Sequence, residues 1–280
     1  MAELIRYEVR DAVATLTLNR PDKLNAFAED MREQLVAALE RVAMEGEARV
    51  LILTGAGRAF CAGGDVHHMA SLKQRQADFR ELKPLMELGR AVVTRIEALP
   101  FPTIAAVNGV AAGAGINLAL ACDLRVASDQ ASFGETFVRI GLHPDWGGTY
   151  YLPRFVGLAR ALEMCWLGDV VDAAAALRIG LVNHVWPQAS FADEVRRFAD
   201  RLAAAPRTSV RHIKQSLRAA FDRTLNQCLD AELQSQAACW QSEDVVEGLG
   251  AFVERRVPEF EAPPLELVDT APGSAALRFE

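Results

Sequence analysis

The sequence has little of what several large classes of protein require. Its 280 residues include five cysteines, an odd number with no Cys-x-x-Cys pair, so a disulfide-stabilised secreted scaffold is not indicated. The formal net charge is −7, which disfavours the concentrated positive surface that nucleic acid or an anionic membrane would need. The opening residues MAELIRYEVRDAV carry charges at Glu3, Arg6 and Glu8 and lack the apolar core of a signal peptide. We therefore expect a cytoplasmic protein that binds neither nucleic acid nor a membrane.

Familiar catalytic motifs are missing as well. The chain has no GxxxxGK[ST] phosphate loop, no GxSxG elbow and no HExxH metal motif. A strand-like stretch ending at Gly55 resembles the start of a dinucleotide fingerprint, but Phe60 occupies the third glycine position, so a Rossmann site is not expected. Asp65, His67 and His68 offer metal-binding atoms, yet adjacent histidines rarely point the same way. We interpret them as the exposed start of a helix and predict no metal site.

One uncharged run, 98–122, is long enough to cross a bilayer at about 20 residues per span. It is interrupted by two prolines, two asparagines and several glycines, which a membrane helix of this length would rarely combine. The run therefore predicts a buried strand, a glycine turn and a buried helix.

The remaining pattern predicts an α/β protein. Strand-like and helix-like stretches alternate through the first part of the chain, whereas the part after about residue 191 is almost wholly helical. We predict a core over residues 1–195 that holds the site, a helical region over 196–260 that packs on its own core or on a neighbouring subunit, and a mobile tail over 261–280.

Two glycine-rich turns follow buried strands, at 54–65 (TGAGRAFCAGGD) and at 108–123 (NGVAAGAGINLALACD). Small residues let another backbone or a ligand approach the main chain closely. The second turn runs straight into an apolar helix, whose first N–H groups are free to face a developing negative charge. Two such turns brought together would form an oxyanion hole, although tight packing of helix on strand explains the glycines equally well.

Six segments, in order, carry a resemblance to a known family. They are RPDKLNAF (20–27), RAFCAGGD (58–65), PTIAAVNGVAAGAG (102–115), FGETFVRIGLHPDWGGTYYLPRFVG (133–157), GLVNHVWP (180–187) and EGLGAFVERRVPEF (247–260). Together they resemble the enoyl-CoA hydratase/isomerase, or crotonase, superfamily over residues 5–260. The resemblance implies a spiral of repeated ββα units, a helical C-terminal region that forms trimers or dimers of trimers, and an acyl-CoA thioester as the substrate without a separate cofactor. By position, it implies backbone N–H donors at Gly64 and Ala114.

The chain departs from the hydratases of this superfamily at both of their glutamates. The matching positions hold Asn117 and Phe137, and neither side chain can exchange a proton with water. Simple hydration of an enoyl-CoA is therefore disfavoured. Glu135 lies two residues before Phe137, and strand alternation would place both on one face, but an exposed glutamate is the usual outcome.

Asp145, in IGLHPDWGG, is the acid that the region retains. An acid here resembles the catalytic aspartate of dienoyl-CoA isomerases, ring-epoxide phenylacetyl-CoA isomerases and chlorobenzoyl-CoA dehalogenases, and the surrounding run resembles the ring-epoxide isomerases most. The alternative is that Asp145 merely caps the next helix. The dehalogenase match is incomplete, because Phe137 and Arg90 stand at that group's tryptophan and helper-histidine positions. His143 would either assist proton transfer or simply line a turn.

The resemblance also indicates how the substrate is held. The acyl group would meet Phe137 and Trp146, whose apolar rings would also raise the pKa of Asp145. Main chain around two short segments would hold the CoA moiety, with Lys23 or Arg58 near its phosphates. The candidate CoA-binding residues in those segments are Lys23, Leu24, Ala26, Ala62, Asp65 and Val66.

These observations favour an acyl-CoA isomerase in which Asp145 moves a proton along the acyl chain while two N–H groups stabilise the enolate. The alternatives are a hydratase or lyase that uses Glu135, a dehalogenase-like hydrolase, and a catalytically silent acyl-CoA-binding protein.

Overall fold

The structure is a computed structural model that describes residues 2–28 and 30–260. The predicted tail over 261–280 lies outside the described residues. Ten strands form the sheets, and they are β1 (Ile5–Arg10), β2 (Val13–Leu18), β3 (Val50–Gly55), β4 (Ala59–Cys61), β5 (Thr103–Val107), β6 (Val110–Ala112), β7 (Leu124–Ser128), β8 (Ser132–Gly134), β9 (Val170–Asp172) and β10 (His184–Trp186).

The helices lie mainly between strand pairs and at the C-terminal end of the described chain. They are α1 (Met31–Glu45), α2 (Val66–Gln74), α3 (Phe79–Ala98), α4 (Ala114–Ala121), α5 (Gly148–Val156), α6 (Leu158–Leu167), α7 (Ala173–Arg178), α8 (Phe191–Ala203), α9 (Arg207–Ala219), α10 (Leu225–Trp240) and α11 (Glu243–Glu254). Short 3-10 helices cover Pro21–Lys23, Thr136–Ile140 and Ala220–Asp222.

Each repeat of the chain supplies one strand to each of two sheets. The larger sheet has the order β1-β2-β3-β5-β7-β10, and all its pairs except β1-β2 are parallel. The smaller sheet has the order β4-β6-β8-β9, with only β8-β9 antiparallel. Successive strand pairs therefore stack in register as turns of a spiral, and the α/β class with a crotonase-type spiral is confirmed.

Burial explains why the parallel strands read as apolar runs rather than alternating ones. All five residues of β5 are buried, because α8 packs on one face of the larger sheet and α1, α3 and α4 pack on the other. The uncharged run 98–122 folds as predicted, into β5, β6 and α4, and all eight residues of α4 are buried. Within the described residues, no helix is long and apolar enough to cross a membrane.

The helical region begins close to the predicted boundary. Helix α8 packs its apolar side, including Phe191 and Val195, against Val13 and Ile52 of the larger sheet. Helices α9 to α11 follow it, as the sequence predicts.

Candidate active site

The two glycine turns lie side by side. Strand β4 pairs in parallel with β6, so the segments that follow them run together. A Cβ atom built on Gly63 would lie 2.6 Å from the carbonyl oxygen of Ala112, and one on Gly115 would lie 2.0 Å from the carbonyl oxygen of Cys61. Only glycine permits this approach, and Gly63 also has a φ of +91°. The two turns therefore meet and pack tightly on each other, while the oxyanion hole that they would form stays a prediction.

The main-chain N–H groups of Gly64 and Ala114 donate no hydrogen bond to a main-chain carbonyl among the described residues. Gly64 forms a parallel bridge with Phe27, in which the N–H of Phe27 donates to Gly63 at 2.7 Å and that of Asp65 donates to Phe27 at 3.1 Å. The N–H of Gly64 faces away from that bridge. Ala114 is the first residue of α4, where a helix N–H has no intrahelical acceptor. Each of the two meeting turns therefore has one main-chain N–H without a main-chain acceptor, at the positions that the resemblance implies.

A segment from the first repeat lies against the first turn. The N–H of Ala62 donates to the carbonyl of Leu24 at 3.0 Å, which aligns residues 24–27 beside residues 62–65. Ala26 is buried, whereas Lys23 and Arg58 are exposed. The candidate CoA-binding residues thus lie on two adjoining stretches of main chain, with both candidate cations on the surface.

Asp65 has a structural role that its position at the turn did not reveal. It is the N-cap of α2, accepting hydrogen bonds from the N–H groups of His67 at 3.0 Å and His68 at 3.3 Å, and it forms an ion pair with Arg20 at 2.9 Å. The predicted exposed helix start is observed, with both histidines exposed. Val66 is the first helical residue and is half exposed, at 55%. No cluster of potential metal ligands occurs among the residues that the structure describes.

Asp145 lies in the loop between the 3-10 helix Thr136–Ile140 and α5. Its carboxyl Oδ1 is shielded from solvent and has no hydrogen-bond partner in the structure. The side chain does not cap α5, since that helix has Gly147 as its N-cap and no side-chain cap bond. Burial raises the pKa of Asp145 to about 6, while the charges of Arg32 and His143 partly oppose the shift. A half-buried carboxylate with a free oxygen and a pKa near neutrality is suited to accepting and returning a proton.

Arg32 is the charged neighbour that sequence reasoning missed. Its side chain is 9% exposed, its Nε has no hydrogen-bond partner, and its guanidinium lies 5.3 Å from the centre of the Phe27 ring. Burial lowers its pKa, and the charge of Asp145 is the strongest opposing influence. A signal was present in the sequence, because Arg32 falls on the apolar stripe of α1 with Leu35 and Leu39.

Trp146 and Phe137 have different surroundings. Trp146 is 5% exposed, adopts a φ of +50°, and stacks on Phe27 with ring centres 4.5 Å apart. A Cβ atom on Gly89 would overlap its indole at 2.3 Å, so Trp146 is sealed against α3. Trp146 is thus held between Phe27 and α3, and its contact with the acyl group stays a prediction. Phe137 lies closer to the site, because its ring would be 3.7 Å from a Cβ atom on Gly113 at the second turn.

The structure also corrects the placement of Glu135. Strand β8 ends at Gly134 and a 3-10 helix begins at Thr136, so strand alternation does not relate Glu135 to Phe137. Instead of being exposed, Glu135 has no accessible surface, and neither carboxyl oxygen has a hydrogen-bond partner. Burial raises its pKa to about 8; the Asn117 side chain opposes the shift and the charge of Asp145 adds to it.

The remaining candidates lie at the edges of the site. The imidazole Nδ1 of His143 is 2.6 Å from the carbonyl of Pro144 and the ring is exposed, which fits a residue lining a turn. Arg90 is exposed on α3 beside Glu87, at 3.6 Å, and makes no described contact with the Asp145 loop. The position at which the dehalogenases have their helper histidine is therefore held by an exposed arginine that pairs with Glu87.

An apolar cavity of about 340 Å³ opens between α2, the start of α3 and residues 140–142. Met69 lines it, and its Cε would be 3.3 Å from a Cβ atom on Gly64. Met69 therefore lies between this cavity and the first glycine turn. Its other apolar lining residues include Phe79, Leu82, Ile140 and Leu142.

The fold and the site define a class of α/β spiral proteins in which two glycine-rich turns meet at the start of a buried helix. The enoyl-CoA hydratase/isomerase family model matches residues 8–263, and the chain belongs to that family.

Individual relatives carry both names of the family. The chain is 42% identical over 258 residues to a probable enoyl-CoA hydratase of Rhodobacter capsulatus, covering 91% of this chain and 97% of that protein. It is 41% identical over 267 residues to the 1,2-epoxyphenylacetyl-CoA isomerase of Escherichia coli, covering 93% and 99%. A solved structure from Mycobacterium abscessus, described as a putative enoyl-CoA hydratase/isomerase, superposes with a TM-score of 0.88 at 32% identity, covering 92% of this chain and 100% of that one.

Proposed function

We propose that the protein is an acyl-CoA isomerase that uses Asp145 as its proton shuttle and the N–H groups of Gly64 and Ala114 as its oxyanion hole. The observation that carries the proposal is the state of Asp145, whose buried oxygen is unpartnered and whose pKa is raised to about 6 by burial. Support comes from the side chains at the two hydratase positions, Asn117 and Phe137, and from the 41% identity to the E. coli isomerase.

The reaction follows from one carboxylate beside a polarised thioester. The Asp145 carboxylate removes a proton from the carbon next to the thioester carbonyl, and the electron pair moves onto the thioester oxygen to give a dienolate. The two N–H dipoles stabilise that negative oxygen. Asp145, whose proton exchanges with solvent, then protonates the carbon two positions along the chain, and the electrons move back to re-form the carbonyl. Nothing is oxidised or reduced, so the step requires no cofactor.

The site also favours a class of substrate. An unsaturated or ring-containing acyl group would occupy the cavity beside Met69 and Phe79, with Phe137 near the reacting carbons. The CoA moiety would lie along residues 23–26 and 62–66, with Lys23 or Arg58 near its phosphates. Ring-epoxide phenylacetyl-CoA is the first substrate to test, because the E. coli relative is named for it.

The decisive experiment is an incubation in heavy water with 3-enoyl-CoA, 3,5-dienoyl-CoA, 2-enoyl-CoA and ring-epoxide phenylacetyl-CoA, followed by mass spectrometry and NMR. We expect an isomer of unchanged formula that carries solvent deuterium, and a 100- to 10,000-fold lower rate in Asp145→Asn, since a positioned acid or base contributes about that factor. Isomerisation that persists at the wild-type rate in Asp145→Asn would refute the proposal.

The same experiment has a control for folding. Asp145 has a folded-state pKa above its ordinary value, so its ionised form costs stability increasingly as pH rises from about 4 to about 6. Asp145→Asn should therefore unfold at a higher temperature than the wild type at pH 7, while being inactive.

A second candidate function is hydration, favoured by the buried carboxyl of Glu135. Addition of one water to 2-enoyl-CoA that disappears in Glu135→Gln would support it over isomerisation. Its weakness is the raised pKa of about 8, because a protonated carboxyl cannot act as the base.

We further propose a cytoplasmic homotrimer or dimer of trimers. Support comes from apolar side chains that helices α9 to α11 leave exposed, including Leu217, Leu225, Leu233 and Trp240. Since monomeric proteins rarely expose so many large apolar groups together, copies of the chain would cover them.

A further inference from the structure

The cluster of Glu135 and Asn117 contains more hydrogen-bond acceptors than donors. Both carboxyl oxygens of Glu135 and the Oδ1 of Asn117 are shielded from solvent without a partner in the described structure. Each buried group left in this way costs about 1–3 kcal/mol, so three neighbouring ones call for an explanation.

The orientation of the Asn117 amide is fixed. Its Nδ2 donates to the main-chain oxygen of Asp145 at 2.9 Å, and a carbonyl can only accept. The Oδ1 atom must therefore face another direction and needs a donor. Gly148, in the first turn of α5, packs directly on this amide, since a Cβ atom there would lie 2.4 Å from Nδ2. Asn117 thus connects the buried helix α4 to the loop that carries Asp145.

We propose that Glu135 is a positioning residue: its protonated carboxyl donates a hydrogen bond to Asn117 Oδ1, and the Asn117 amide then holds the Asp145 main chain in place. Protonation makes one Glu135 carboxyl oxygen a donor, so that a single proton satisfies both this oxygen and Asn117 Oδ1. The inference rests on the proposed function only in assigning the chemistry to Asp145.

The charges around Glu135 fit this assignment. Burial raises its pKa to about 8; the Asn117 amide opposes the shift, and Asp145, from the loop before α5, adds to it. The other titratable group facing it is the Cys165 thiol of α6, whose pKa is raised to about 11 by burial and by the charge of Glu135. Glu135 is therefore neutral below about pH 8, and as pH rises through that value it loses the proton that it donates. Asp145 has a pKa of about 6 and serves as a base only above it. Activity should accordingly be confined to a window from about pH 6 to about pH 8.

The test compares two variants with the wild type across that range. Glu135→Gln keeps a donor that cannot titrate, so kcat at pH 7 should stay within about threefold of wild type, and the fall of kcat above about pH 8 should vanish. Glu135→Leu keeps the volume and removes the donor. Its kcat should fall about tenfold at every pH, with KM changed less than about twofold, since the acyl-CoA contacts are untouched.

A measurement without substrate separates this inference from the proposed function. Infrared spectra of the free protein should contain a protonated-carboxyl band at pH 7 that disappears through about pH 8 and is missing in Glu135→Gln. If that band is present and no isomerase substrate is turned over, the proposed function fails and the buried proton stands. The inference is overturned if the band is absent, if Glu135→Gln retains the alkaline fall, or if Glu135→Gln abolishes turnover at all pH values.

Discussion

Helices α4 and α10 show how differently two parts of this chain are built. All eight residues of α4 are buried, whereas none of the 16 residues of α10 is. Helix α4 begins directly after the second glycine turn and is covered on all sides by its own chain. Helix α10 packs on α9. The side chains of Lys214 and Arg218 in α9 in turn form ion pairs with the Asp123 carboxylate, each at 2.7 Å. The spiral thus buries its own interior, whereas the C-terminal helices leave large apolar side chains exposed among the described residues.

Adding one methyl group to each region should produce the largest difference between them, measured as the change in the free energy of unfolding. Gly115→Ala would bring a Cβ atom within 2.0 Å of the Cys61 carbonyl, where both partners are main chain and cannot yield, so we expect a loss of about 3 kcal/mol in the free energy of unfolding. The matched control is Gly250→Ala in α11, where nothing lies within 4 Å and the change should stabilise by about 0.5–1 kcal/mol. Urea unfolding measures both. A destabilising Gly250→Ala would mean that a second subunit fills that space.

A charge on the exposed side of α10 should produce the next largest effect. Leu233 is 72% exposed, and Leu233→Glu should weaken association about 10- to 100-fold while the circular dichroism spectrum stays unchanged, because burial of a leucine contributes about 1.5–3 kcal/mol. Sedimentation velocity checks the mass. Met44→Glu on α1, at a site 67% exposed, is the control and should leave the mass as it is. A monomeric wild type would contradict the proposed assembly.

The smallest effect should arise inside the site. Arg32 opposes the burial that raises the pKa of Asp145, so Arg32→Met should raise that pKa further. The acid limb of kcat/KM should move upward by about one pH unit, and activity below about pH 7 should be lost first. Arg90→Met, which removes an exposed arginine of α3, should leave the profile in place. An unmoved limb in Arg32→Met would show that Asp145 is not the group that titrates there.

The sequence-based predictions succeeded where local pattern determines structure. The apolar run of β5 predicted a buried strand, and the glycines at 63–64 and 113–115 predicted turns with close main-chain contacts, because such contacts leave a glycine signature. They failed where a side chain depends on distant packing. Glu135 lies one residue past a strand end, and its burial depends on Asn117 of α4 and Cys165 of α6, which are near it in space but not along the chain. No local pattern encodes those contacts.

The predicted oxyanion donors at Gly64 and Ala114 are main-chain groups, held by strand pairing and by the start of a helix. Substitution cannot remove them unless it disturbs the spiral itself. The side chains that the proposals place at the reaction, at 117, 135, 137 and 145, instead follow a strand end or lie in a loop and two short helices. Evolution can therefore exchange one chemistry for another on this scaffold by single replacements, without rebuilding the charge-stabilising part, and a designer can follow the same route.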